Sequence, residues 1–244
     1  MTDATLKKRF FEIDVYRGLA IVMMVLFHIL YDLNTYHFTN LPIFSHAFWK
    51  VYRETISFLF LGLVGFCLYH EHHSQILWKR FWIRMGRLLM AAACVSIGTY
   101  IYEPQRPILF GILHFIAAGS LAALVFIPHK RLNFFLGVLI LATGYIGFIH
   151  EARYRIPYME WIGFGASTLP TLEIFPFIPF FGYILIGMGM AQITELKENT
   201  YYYLNIPTNP LSRFLAFCGK HPLMIYLIHQ PILVGIISRI PHST

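Results

Sequence analysis

Across 244 residues, 57% are hydrophobic and only 13% charged. A soluble domain of this size carries about a quarter charged residues, so the composition excludes that class and points to an all-α integral membrane protein. The chain reads as one polytopic helical bundle over residues 1–244. The formal charge of +7 gives no sign of a nucleic-acid partner, because no Lys/Arg run carries interleaved aromatics; in a membrane chain such charge sets topology.

In chain order, LKKRF (6–10) precedes an apolar run as in a signal peptide. No small-residue cleavage site closes that run, so residues 15–35 read as a retained first span. Further apolar stretches near the length a bilayer requires, about 20 residues, lie at about 55–70, 85–102, 108–127, 132–149, 176–193 and 222–239, for seven expected transmembrane helices. In hydrocarbon the backbone must satisfy its own hydrogen bonds, which makes each stretch helical. HEHHSQ (70–75), EPQRP (103–107) and PHKRLN (128–133) bound several of them, and the histidines at 70–73 read as a solvated loop.

With a cytoplasmic N-terminus, one side of the membrane collects Lys7, Lys8, Arg9, Arg17, Lys79, Arg80, Arg84, Arg87, Lys130, Arg131, Lys197, Arg213 and Lys220. The other holds Lys50, Arg53, Arg106, Arg153, Arg155 and Arg239, a division of 13 against 6 that favours this orientation. ILWKRFWIRMGR (76–87) then predicts an amphipathic cytoplasmic helix leading into the third span, with residues 211–221 lying similarly at the interface. Two external loops, about 36–54 and 150–175, are rich in aromatic, His and charged residues. They suit either an interfacial aromatic belt or a wall for a polar substrate such as a sugar.

The first span carries the most informative pattern. In EIDVYRGLAIVMMVLFHILYDL (12–33), Asp14, Arg17, His28 and Asp32 fall within about 60° of arc at helical periodicity and extend over about 27 Å of axis. Intramembrane ionisable groups usually face a bundle interior or a water-filled cavity. Asp14 and Arg17, at i,i+3, form either a helix-anchoring ion pair or part of a polar route. His28 and Asp32, at i,i+4, have the spacing of a general base and its orienting carboxylate, or of a helix-packing hydrogen bond.

His46 in the first loop, His114 in the fourth span and His229 in the last, with Gln230 after it, add candidates in the outer half of the bundle. No HExxH or paired-ligand spacing marks zinc, and no metal cofactor is expected. Cys67, Cys94 and Cys218 sit in apolar stretches and read as small core residues.

EIDVYRGLAIVMMVLFHILYD (12–32) resembles the opening of the heparan-α-glucosaminide N-acetyltransferase catalytic-domain family, within the transmembrane acyltransferase superfamily. FLFLGLVGFCL (58–68), FGILHFIAAGSL (110–121), LEIFPFIPFFGYILIGMGM (172–190) and CGKHPLMIYLIHQPIL (218–233) resemble its later segments, in the same order and over nearly the whole chain.

The resemblance implies transfer of an acetyl group from cytoplasmic acetyl-CoA to an acceptor on the far side, a glycan or glycolipid amine or hydroxyl. It also implies residence in a bacterial cytoplasmic membrane amid lipid, with a homodimer possible. SHAFW (45–49) matches the family's active-histidine stretch, which implies His46 as a catalytic residue and Glu54 as its acidic companion, two residues closer than the family spacing. His28 stands where the lysosomal member has Asn, so His28 and His46 are both candidates for the base. Alongside them, His114, His229 and Gln230 are candidates for oxyanion stabilisation. Arg17, beside Asp14, and Arg80, Arg84 and Arg87 suit the phosphates of the coenzyme. The alternative from another class is a proton-coupled transporter with an intramembrane His/Asp relay.

Overall fold

The computed structural model describes residues 10–129, 132–145, 159–163, 170–196 and 206–241. These contain eight α-helices and no strand: α1 (Phe11–Thr35), α2 (Ala47–His72), α3 (Trp78–Tyr102), α4 (Ile112–Ala123) with a 3-10 turn at Leu124–Phe126, α5 (Leu132–Tyr145), α6 (Phe177–Leu196), α7 (Pro210–Lys220) and α8 (Pro222–Ile237). Each of the seven expected apolar stretches contains a helix. Of these, α1, α2 and α3 are long and apolar enough to cross a membrane, while the apolar helices of the other four stretches are shorter. Two compact units emerge, residues 1–56 with 202–244, and residues 57–201.

In the first unit α1 packs along α7 and against α8. The approach is backbone to backbone. A Cβ at Gly18 would fall on the Leu215 carbonyl, and one at Gly219 on the Asp14 carbonyl. Arg17 closes the contact by donating from Nη1 to Asp14 Oδ1 at 3.0 Å and to the Gly219 carbonyl at 3.2 Å. That carbonyl belongs to the last turn of α7, where a cation complements the helix dipole. At its other end α7 starts with a capping box, the Asn209 side chain accepting from the Ser212 amide and the Ser212 hydroxyl from the Asn209 amide, with Pro210 in the first turn. The helix is amphipathic, as 211–221 predicts. Leu211, Phe214 and Phe217 are exposed, whereas Ser212, Ala216, Cys218 and Gly219 face inward.

The second unit is built around α6, whose Ile184, Leu185 and Met188 are fully buried. Helix α5 packs along it, and α4 joins it. The α2 segment of this unit touches α6 closely too, since a Cβ at Gly65 would meet the Ile184 carbonyl and one at Gly187 the Gly62 carbonyl. Ahead of α4, Leu172 and Phe175 donate their amides to the Arg106 and Phe110 carbonyls, and Glu173 Oε1 accepts from the Ile112 amide at 2.6 Å. That carboxylate satisfies an orphan donor at the α4 N-terminus and suits its dipole.

Residues 78–87 form the first part of α3, which runs unbroken from Trp78 to Tyr102 and so leads into the third span as expected. Two local expectations change. The first loop ends sooner than residue 54. The chain re-enters helix at Ala47, so Trp49, Arg53 and Glu54 lie on α2. Finally, His70–His72 form the last turn of α2 instead of a solvated loop. His72 is 2% exposed, accepts from the Leu77 amide at 3.1 Å and lies edge-on to Phe81, so its ring seals the turn into α3. Much of the expected loop at 150–175, and Lys130 and Arg131, lie outside the described residues.

The Gly18–Gly219 contact yields a stability prediction. Gly219→Ala inserts a methyl into a backbone contact and is expected to destabilise by about 1–3 kcal/mol, read as a lowered Tm of the detergent-solubilised protein. Gly86→Ala, where a Cβ meets nothing within 4 Å, is expected to leave Tm unchanged or raise it slightly. Equal Tm values for the two variants would contradict the packing described.

Candidate functional site

Within the first unit, the far half of α1 meets α8 through four polar side chains. Asp32 is 2% exposed, and both its carboxylate oxygens accept from Gln230 Nε2, at 2.9 and 3.1 Å. A carboxylate demands donors, so the Gln230 amide must turn its nitrogen toward Asp32. Its Oε1 then faces elsewhere, buried and without a hydrogen-bond partner.

One turn back on α1, the His28 ring lies 4.9 Å from the His229 ring, centroid to centroid, at an interplanar angle of 62°. Phe27 and Tyr31 stand edge-on to His28 at 5.9 and 6.3 Å. His229 is 7% exposed, and its Nδ1 lies 2.7 Å from the Tyr226 carbonyl. Because a carbonyl only accepts, Nδ1 carries the proton. His229 Nε2 is therefore a bare lone pair, and it is buried and unpartnered. His28 Nδ1 is likewise buried without a partner. Pro231 follows directly inside α8; having no N–H, it cannot bond to the carbonyl one turn back, so the backbone ladder is incomplete beside the site.

Three buried, unpartnered polar atoms on neighbouring side chains are unusual in a folded protein. Such groups normally find partners in protein, ordered water or a ligand. The cluster can take a proton at His229 Nε2 and accept a hydrogen bond at Gln230 Oε1.

The i,i+4 spacing leaves His28 and Asp32 either as a base with its orienter or as a helix-packing hydrogen bond. In the structure the two do not pair with each other: Asp32 holds Gln230 across the helix interface, and His28 meets His229. Gln230 lies on α8, which packs against α1, and its amide reaches the carboxylate across that interface.

His46 is exposed. Its Nδ1 accepts from the Phe48 amide at 3.2 Å and its carbonyl from the Trp49 and Lys50 amides, so the side chain caps the start of α2, and no contact joins it to His28. Glu54 lies on α2. Arg53, beside it, donates to the Ile43 carbonyl at 2.7 Å and sits over the Phe44 ring. Tyr52, which sequence reasoning passed over, donates from its hydroxyl to the Met23 carbonyl at 3.1 Å; aromatic spacing alone carried no signal for that.

Asp14 and Arg17 pair as their i,i+3 spacing suggests, near the opposite end of α1 from His28. In the second unit His114 Nε2 stands 3.3 Å from Ser96 Oγ, whose proton goes to the Ile108 carbonyl at 2.6 Å. Arg80 and Arg87 are exposed on α3 and Arg84 is half-buried there. Glu173 escaped the sequence reading, because its partner is a backbone amide 61 residues away. Among the described residues, no three His, Cys, Asp or Glu side chains converge as a metal site.

Comparison with known proteins leads in one direction. No curated protein and no solved structure matches the chain. The family described as heparan-alpha-glucosaminide N-acetyltransferase, catalytic, matches residues 9–231, a range that holds every residue of the α1–α8 cluster. The chain therefore belongs to the heparan-alpha-glucosaminide N-acetyltransferase catalytic-domain family.

Proposed function

We propose that this protein is a transmembrane acetyltransferase that spans a bacterial cytoplasmic membrane seven times, with its N-terminus in the cytoplasm. It moves an acetyl group from cytoplasmic acetyl-CoA to an amine or hydroxyl of an envelope glycan or glycolipid on the other side. Family membership supports the reaction class, and the 13-to-6 division of Lys and Arg supports the orientation. The observation that carries the chemistry is the bare, buried Nε2 of His229 beside His28.

In this reading His229 is the general base. Its Nδ1–H, held by the Tyr226 carbonyl, fixes the tautomer that leaves Nε2 ready for a proton. The acceptor loses its N–H or O–H proton to Nε2 as its lone pair attacks the thioester carbonyl. The C–S bond then breaks, and the imidazolium returns the proton to the departing sulfur. His28, across the ring contact, supplies a donor to the developing oxyanion. Gln230 Oε1 accepts a hydrogen bond from the acceptor or from an amide of the pantetheine arm, and Asp32 positions it.

Arg17, engaged with Asp14 and the α7 carbonyl, is given the structural task of joining α1 to α7. His46 is read as the cap of α2, and His114 as a hydrogen-bonding partner of Ser96.

Purified protein in nanodiscs is expected to consume acetyl-CoA and acetylate an amino-sugar or glycolipid acceptor. Turnover of acetyl-CoA separates this reading from a proton-coupled permease. His229→Ala is expected to lower transfer by about 10²–10⁴-fold while the protein stays monodisperse; a wild-type rate would remove His229 from the base's role.

His46→Asn provides the complementary test. Asn is among the strongest helix caps, so the variant is expected to keep near wild-type Tm and transfer rate. A loss as deep as that of His229→Ala would move the base to His46.

For Asp32→Leu, the Gln230 amide loses its anchor. Transfer is expected to fall mainly through a raised KM, whereas His229→Ala acts on kcat. Unchanged KM in Asp32→Leu would show that Gln230 does not contact either substrate.

A further inference from the structure

The His28–His229 contact has a second chemical capability. Two imidazoles on one tetrahedral zinc ion, each with a Zn–N bond near 2.0–2.1 Å, hold their ring centres about 5 Å apart; here the centres are 4.9 Å apart. Each ring also offers a nitrogen that is buried and has no partner, Nδ1 of His28 and Nε2 of His229.

The surroundings of His229 match those of a metal-binding histidine. Such a residue nearly always donates its other ring N–H to a carboxylate or backbone carbonyl, which fixes the tautomer and raises the basicity of the ligating nitrogen. His229 Nδ1 does this to the Tyr226 carbonyl at 2.7 Å. The third unpartnered atom of the cluster, Gln230 Oε1, is an additional oxygen donor, and a water can complete four-coordination.

We propose that His28 and His229 form a binding site for a divalent late transition-metal ion, zinc above all, and that its occupancy shuts the acetyl-transfer site. Imidazole nitrogen suits zinc and copper and discriminates against magnesium and calcium. With two imidazoles and no thiolate or carboxylate, the site binds more weakly than a resident structural zinc centre, which makes the ion a reversible ligand and not a cofactor. A bound ion occupies the Nε2 lone pair, so no proton can be taken there. The inhibition half of this inference rests on the reading of His229 as the base; the binding half does not.

The test measures zinc binding by the full-length protein in detergent or nanodiscs, using isothermal titration with ZnSO4. His70 and His73, whose rings lie 6.2 Å apart on and just after α2, are replaced by Gln in all samples to remove a competing surface pair. One zinc per chain is expected, weakened at least tenfold by His28→Gln and by His229→Gln, and unchanged by His114→Gln.

If His229→Gln fails to fold, His28→Gln decides together with Co2+ absorption, whose visible bands are expected in the parent and absent in that variant. Absence of binding in the parent, or equal binding in His28→Gln, overturns the proposal. In the activity arm, zinc is expected to stop acetyl transfer and EDTA to restore it. Binding at these residues in a protein with no acetyltransferase activity under any condition would refute the proposed function and leave the metal site standing.

Discussion

The closeness of α1 to the C-terminal helices is the constraint on which the candidate site depends. Gly18 and Gly219 let two backbones meet, and Arg17 fastens that meeting by bonding Asp14 on its own helix and a carbonyl at the end of α7. Helix α8 begins two residues later, at Pro222. The direction in which α8 leaves is therefore set by a contact in the last turn of α7. At the far end of α1 that direction sets His229 against His28 and Gln230 against Asp32. An added methyl at Gly219 would be felt at the imidazoles, although it touches neither.

A buried carboxylate on a helix in apolar surroundings is costly unless donors surround it. Gln230 supplies them, and in doing so loses its own freedom to rotate. The amide oxygen is left bare in the same cluster as two bare imidazole nitrogens. The cluster thus pairs a satisfied acid with unsatisfied acceptors, and it is the unsatisfied half that gives a substrate or ion something to bind.

Much of this was legible in the sequence. The apolar stretches located the helices, and the period of 3.6 residues placed Asp14, Arg17, His28 and Asp32 on one face. The partners on that face were less legible. Local spacing suggested Asp32 for His28, because i,i+4 neighbours are all a single helix can reveal; the actual partners come from residues 198 positions later in the Asp32 case. His46 shows the opposite difficulty. Its match to a family stretch concerns a loop histidine, while its hydrogen bond to the Phe48 amide is a helix-capping interaction that any acceptor of the right reach can make. The HEHH cluster read as solvated because polar residues between spans usually are; the burial of His72 comes from the tight return into α3, which composition does not encode.

The 198-residue separation between Asp32 and Gln230 also has a meaning for synthesis. Asp32 on α1 leaves the ribosome 198 residues ahead of Gln230 on α8. While the residues between them are made, Asp32 and His28 have no α8 to meet, and the acid of α1 lacks the amide that later satisfies it. Synthesis of α8 is what gives that acid its partner. A chain cut short before Gln230 would keep that acid unmet in α1, a mark by which membrane quality control can recognise it.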